Sequence, residues 1–229
     1  MPSGMRQLTL PFVHAPEYRA DDFIAAASNA EARAWLARPE TWPDGRLALT
    51  GAAGAGKTHL LSLWAGRDAV WEGPRLRGLP ALPGPRLALD DADSCPDEAA
   101  LLHLLNRARE SGVHLLLAGR TPPARWHIAL ADLASRLRAV TTVVLGAAED
   151  ELLAALLARL FAERQLAVSP LVQAFLLARL PRTPAALREA AARLDRRAMV
   201  LGGRISRALA VEVAAELGDH GDEERTPSP

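Results

Sequence analysis

Apolar positions follow two different regimes along this chain. From about residue 46 to residue 145, short runs that are apolar throughout alternate with longer amphipathic stretches. The runs predict strands over Leu47–Thr50, Ala69–Trp71, Arg86–Asp90, Val113–Ala118 and Thr142–Leu145. The stretches between them predict helices over Lys57–Gly66, Asp97–Glu110 and about Leu130–Leu137. Strands without polar alternation, separated by helices, describe a parallel sheet covered on both faces. The Gly- and Pro-rich stretch 73–85 reads as a loop.

From Glu149 onward the pattern is helical only. Leu152, Leu153, Leu156, Leu157, Leu160 and Phe161 form one apolar stripe. Acids at 149–151 open it and Arg159 and Arg164 close it, as the helix dipole favours. Ser169-Pro170 and Thr183-Pro184 each read as an N-cap followed by proline at the first helical position. A last helix is expected over Ile205–Leu217. Ahead of the sheet, the Ala-rich stretch from Asp21 to Arg38 suggests helix in one or two pieces, with Ser28 or Asn29 as an N-cap and Pro39 as the stop. The expected organisation is an N-terminal arm (1–20), an α/β core (21–147), an all-helical lid (148–217) and a disordered tail (218–229).

Composition narrows the class of function. Hydrophobic residues make up 49% and charged residues 24%, with 27 basic against 27 acidic residues. With no net positive field, any contact with DNA is expected to be local, indirect or weak. A single cysteine, Cys95, suits a reducing compartment. There is no signal-peptide core and no apolar stretch of membrane-spanning length, so a cytoplasmic location is expected. The six histidines show no metal-ligand spacing, and the five tryptophans read as packing groups. Only one of the 27 basic residues is a lysine, Lys57, and it falls inside a Gly-rich segment.

That segment is Gly51-Ala52-Ala53-Gly54-Ala55-Gly56-Lys57-Thr58, followed by His59. It matches the phosphate-binding loop pattern in full, and a predicted strand precedes it and a predicted helix follows. Glycines let backbone N–H groups converge on phosphate oxygens, and the helix start adds partial positive charge. Lys57 is expected on the β- and γ-phosphates of ATP or ADP, with the Thr58 hydroxyl on Mg²⁺. Asp90 and Asp91 end a predicted strand, on the edge where ligands bind in open parallel sheets. Asp90 would orient the Mg²⁺ shell and Asp91 would polarise an attacking water. A solvated turn is the plain alternative for this pair, and Asp93 reads as a loop acid. Arg136, at the end of a short helix, reads from spacing alone as a surface ion-pair partner.

Taken together, Gly51–His59 with Leu60-Leu61, the Leu87–Asp91 strand, Thr121-Pro122-Pro123 and Asp132–Leu137 resemble the AAA+ core of the DnaA/Hda family, over roughly residues 6–217. The resemblance implies a P-loop NTPase core with a helical lid, and no room after the lid for a DNA-binding domain. It implies that Gln7, Leu8, Leu10, Pro11 and Phe12 bind the β subunit of the DNA polymerase sliding clamp. An arm packing on its own core is the other reading of that peptide. It implies a base pocket near Asp22, Phe23 and Ile24 and around Asn29, although Phe23 and Ile24 equally suit a core. Arg136 becomes a charge inserted into a partner's nucleotide.

Two positions depart from the family pattern. Ala118 or Gly119 stands where a polar residue is usual after the fourth strand, with only Thr121 offering a hydroxyl nearby. Ala185 stands where the lid usually carries a phosphate-sensing arginine; Arg182 and Arg188 flank it, and Arg182 is the expected substitute. The implied function is regulation of chromosomal replication initiation, by promoting hydrolysis of ATP on the DnaA initiator. The chain's own ATPase would be weak, and a homo-oligomer is compatible with the family. The alternative is a self-sufficient ATPase of the helicase-loader type.

Overall fold

The structure, a computed structural model, describes residues 23–78, 81–200 and 205–222. The expected clamp-binding peptide, Gln7 to Phe12, lies outside these residues, as does Asp22. Five strands, β1 (Arg46–Thr50), β2 (Val70–Glu72), β3 (Arg86–Asp90), β4 (His114–Gly119) and β5 (Thr142–Val144), form one sheet in the order β2-β3-β4-β1-β5. Every pairing is parallel. The strand β3 falls where the pattern predicts it, and the other four differ by one residue at an end or shift by one.

The alternation of side chains along each strand divides the core into two layers. Leu47 and Leu49 of β1 join Ala88, Leu116, Ala118 and Val143 on one face. Helices α1 (Ala27–Leu36) and α2 (Lys57–Ala65) cover that face through Ala32, Leu60, Leu61 and Trp64. Ala48, Leu87, Leu89, Leu115 and Leu117 point the other way. There α3 (Glu98–Glu110) and α4 (Ala131–Arg138) bury Leu101, Leu104, Leu105, Leu133 and Leu137. Each such leucine contributes about 1.5–3 kcal/mol of burial. Trp42 and Trp64 stack with centroids 4.9 Å apart at one end of the first layer.

Four helices follow the sheet: α5 (Asp150–Glu163), α6 (Pro170–Arg179), α7 (Pro184–Val200) and α8 (Arg207–Asp222). They enclose their own apolar cluster, centred on Leu157, Leu176, Ala190, Leu194 and Val213. Ser169 caps α6, accepting from the Val172 N–H. The last helix runs five residues past its expected end, so residues 218–222 are helical. Gly218 and Gly221 cost a helix about 1 kcal/mol each, which weakens it without stopping it.

The start of α1 also differs from expectation. Neither Ser28 nor Asn29 is the N-cap; that place is taken by Ala26. Asn29 is buried at the third helical position, where its Oδ1 accepts from the Ala26 N–H and its Nδ2 donates to the Ile24 carbonyl. Ser28 faces Glu149 instead. No helix among the described residues is long and apolar enough to cross a membrane.

Candidate nucleotide site between core and lid

The sheet reverses direction of growth at β1, which has β4 on one side and β5 on the other. Open parallel sheets take ligands beyond the C-terminal strand ends at such a reversal, and residues 51–56 lie there. A side chain at Gly51 would meet the Leu145 carbonyl at 2.8 Å, so the loop leaves β1 against the end of β5. Gly54 and Gly56 have φ of +73° and +103°, conformations that let consecutive N–H groups turn inward. Gly56 is the N-cap of α2, and Lys57 and Thr58 form its first turn.

Lys57 is buried, and its Nζ donates to the carbonyls of Gly51 (2.7 Å) and Ala52 (2.9 Å). Burial lowers its pKa, opposed by Asp90, Asp91 and Asp93 nearby. Thr58 Oγ1 donates to Asp90 Oδ2 at 2.6 Å. A hydroxyl and a carboxylate brought together beside a phosphate-binding loop suit Mg²⁺, which takes few protein oxygens and completes its shell from phosphates and water. These two residues fit the cation that the sequence implies.

Asp91 adopts the left-handed region (φ 46°, ψ 43°) just after β3. Its pKa is raised, first by desolvation and then by the charges of Asp90 and Asp93. An outlying backbone conformation in a non-glycine residue at a cleft is where a functional group is expected. Gly73 fixes the turn from behind, since any Cβ there would run into the Asp91 carbonyl. Asp93, expected as a loop acid, ties this turn to β4: its Oδ2 accepts from the Arg120 N–H at 2.7 Å. A Cβ on Gly119 would lie 3.1 Å from the Asp93 carboxyl carbon, so the end of β4 is filled by an acid reaching across. The Thr121 carbonyl accepts from Trp126 Nε1 at 2.8 Å.

The lid closes on the loop from above. A Cβ on Gly54 would lie 3.1 Å from Ala185 Cβ and 3.2 Å from Thr183 Cβ, placing the first turn of α7 directly over the loop. Phe23 packs with the core and meets the His59 ring edge-on at 5.4 Å, while Ile24 packs into the lid cluster. The two residues therefore span the seam between core and lid. His59 is buried. Arg188 Nη2 lies 3.4 Å from its Nδ1. Arg182 points elsewhere, to an exposed ion pair with Asp150.

Arg136 lies outside this site. It sits in the last turn of α4, where its Nε and Nη2 donate to the two oxygens of Asp132 at 3.0 and 3.2 Å. Glu98 of α3 holds the other end of that helix, accepting from the Ala129 and Leu130 N–H groups. The charge of Arg136 is felt at Arg46, the first residue of β1. Arg136 thus stands at the opposite edge of the sheet from the loop.

A five-stranded parallel sheet in this order, a Gly-rich loop between β1 and the helix that follows it, and C-terminal helices packed over the loop make up the AAA+ fold. Domain III of the Thermotoga maritima replication initiation protein DnaA shares it with a TM-score of 0.72 at 17% identity, over 88% of this chain and 97% of that one. AMPPCP-bound DnaA from Aquifex aeolicus gives 0.55 at 17% identity, over 73% of this chain and 61% of that one. The Thermotoga maritima RuvB Holliday junction branch migration motor gives 0.64 at 18% identity, over 88% and 72%. No protein-family model and no curated protein matches the chain.

Of the expected residues, the structure brings Lys57 against Gly51 and Ala52, Thr58 against Asp90 and Phe23 against His59, while Ile24 packs into the lid cluster. Three features had no local signal in the sequence. They are the contact of Asp93 with β4, the bridge from Glu149 to Ser28, and the approach of Arg188 to His59.

Proposed function

We propose that this chain is a nucleotide-binding regulator of chromosomal replication initiation, which promotes hydrolysis of ATP held by a DnaA-type initiator. It would hold ATP or ADP with Mg²⁺ between core and lid. Gly51–Gly56 and Lys57 would bind the phosphates, Thr58 and Asp90 the cation, and Phe23, Ile24 and His59 the nucleoside side of the crevice. When bound, the cation draws charge from the phosphate oxygens.

The trans role rests on one observation, the position of Arg136. Its helix runs back to the N-terminal edge of the sheet, so the length of β1, about 16 Å for five residues, separates it from its own loop. A guanidinium so placed serves another molecule's nucleotide better than its own. Its fork on Asp132 already has the geometry that phosphate oxygens require. Docking on the sliding clamp through Gln7, Leu8, Leu10, Pro11 and Phe12 would bring it to the initiator.

The test mixes this protein with DNA-loaded clamp and ATP-bound DnaA and follows phosphate release. We expect acceleration that falls by about 10³-fold or more in Arg136→Ala, and that is also lost in Gln7→Ala. No acceleration by the wild type, or acceleration indifferent to Arg136→Ala, would refute the proposal. The intact Asp90-Asp91 pair favours a second reading, a self-sufficient ATPase of the helicase-loader type. Turnover by the isolated protein that Asp91→Asn abolishes would select it.

A further inference from the structure

The outward side of α6 is apolar until its last residue. Leu171, Ala174, Phe175 and Ala178 recur at spacings of three and four, so they share one side of the helix. Leu171 is 84% exposed, Ala174 and Ala178 are exposed, and Phe175 is half-buried against the lid cluster. The helix α8 packs on α6 and extends this surface. Arg207 lies over the Phe175 ring, and Val211, one turn further along α8, is exposed. A single exposed leucine is ordinary, but apolar side chains on successive turns of one helix form a face.

Two cations border that face. The guanidiniums of Arg179 and Arg207 lie 5.9 Å and 5.8 Å from the centre of the same Phe175 ring. Elsewhere in the lid, Arg159, Arg164, Arg182, Arg193, Arg196 and Arg197 each pair with a carboxylate. Among the described residues, Arg179 and Arg207 make no such pair and have the ring instead. Two like charges on one ring repel each other, and the ring attracts each more weakly than an anion does. A carboxylate set between them would satisfy both.

The same features specify the occupant. Alanines at 174 and 178 allow the close approach of a second helix, whose axis would lie about 8–10 Å away. Apolar residues spaced three and four apart on that helix match the spacing on α6. A nucleic-acid strand needs a row of cations along its phosphates, and this face offers two. An anionic bilayer favours a border rich in Lys and Arg, whereas Glu212 follows Val211 here.

We propose that the α6–α8 face of the lid is a docking surface for an acidic amphipathic helix of a partner protein. The apolar side of that helix lies along Leu171, Phe175 and Ala178, and one of its carboxylates bridges Arg179 and Arg207. Neither α6 nor α8 is the helix whose first turn covers the loop, which is α7. The proposal therefore does not depend on nucleotide binding.

Fluorescence anisotropy of a labelled helical peptide, titrated with the full chain, tests it. The peptide carries leucines at i, i+3, i+4 and i+7 with glutamates beside them, and a second peptide has lysine for every glutamate. The glutamate peptide should bind at least about tenfold tighter than the lysine peptide. Leu171→Asp, and Arg179→Glu combined with Arg207→Glu, should each weaken it by about tenfold or more. Met199→Asp, at an exposed apolar position on α7, should leave affinity within about twofold. Leu171, Arg179 and Arg207 are exposed, and a melting curve for each variant separates lost binding from unfolding. No binding of the glutamate peptide, equal binding of both peptides, or an equal loss in Met199→Asp would overturn the proposal. Tighter binding of oligothymidylate or of phosphatidylglycerol vesicles, lost in the same variants, would also overturn it.

Discussion

Glu149 closes the N-terminus of α1 from 121 residues away in sequence. Its Oε1 accepts from the Ser28 N–H at 2.5 Å and its Oε2 from the Ser28 hydroxyl at 2.7 Å. The same residue is the N-cap of α5. Its backbone thus begins the first helix of the lid while its carboxylate sits at the positive end of the first helix of the core. Three residues before it, Gly146 donates its N–H to the Ser28 carbonyl. The junction between core and lid is therefore a hydrogen-bonded clasp.

Breaking the clasp should lower stability and change its dependence on acid. The Ser28 hydroxyl holds the Glu149 carboxyl below its usual pKa. A depressed carboxylate contributes stability that is complete above the unfolded value and lost as pH falls through the folded one. Glu149→Gln should lower the melting temperature at neutral pH and flatten its decline in that acid window. Ser28→Ala should do the same to a smaller degree. Thermal melts at a series of pH values check both.

Lys57→Ala should leave the fold intact and remove nucleotide binding. A ligand at about 100 times its Kd adds about 2.7 kcal/mol to stability. The wild type should therefore melt at a higher temperature with ATP and Mg²⁺ present. The variant should show no such shift.

Asp91 carries the opposite pH signature from Glu149. Desolvation and the charges of Asp90 and Asp93 raise its pKa, so the folded state favours the protonated form. That contribution is present below the ordinary carboxylate range and lost as pH climbs through the raised value. Asp91→Asn should stabilise the nucleotide-free protein at neutral pH and remove the slope in that window, while eliminating any hydrolysis by the chain itself. A variant no more stable than the wild type above that window would contradict this account of the turn.

At Gly73 the constraint is steric. A methyl group there would collide with the Asp91 carbonyl. Gly73→Ala should cost about 1–3 kcal/mol, as overpacking does, and should displace Asp91. Chemical denaturation measures the first effect, and loss of any intrinsic ATPase at unchanged ATP affinity measures the second.

The lid should respond to loss of its own core. Leu157 is fully buried in the cluster formed by α5–α8. Leu157→Ala should cost about 2–5 kcal/mol, read from urea unfolding followed by a probe in the lid.

The sheet is readable because its central strands β1, β3 and β4 are buried on both faces and apolar along their middles. The loop is readable because its glycines answer a backbone requirement at fixed spacing. What sequence reading misses lies in contacts between distant segments. Ser28 looks like a cap for its own helix, and nothing local reveals that Glu149 supplies the acceptor. Arg182 precedes α7 as Arg188 follows its first turn, and spacing cannot say that the first pairs with Asp150 while the second reaches His59. Gly119 looks like the loss of a polar group after β4, yet Asp93 arrives there from the neighbouring turn.

Lys57 is the sequence's only lysine, and its amine lies against the Gly51 and Ala52 carbonyls. In the terms of a protein chemist, the chain has one side-chain primary amine, and it is the amine of the phosphate loop. Acetylation, or any amine-directed cross-linker acting on a lysine of this sequence, has no other side chain to find. Apart from the chain's α-amine, such a reagent would report on the loop alone, and its yield at Lys57 would measure how often that amine leaves its two carbonyls.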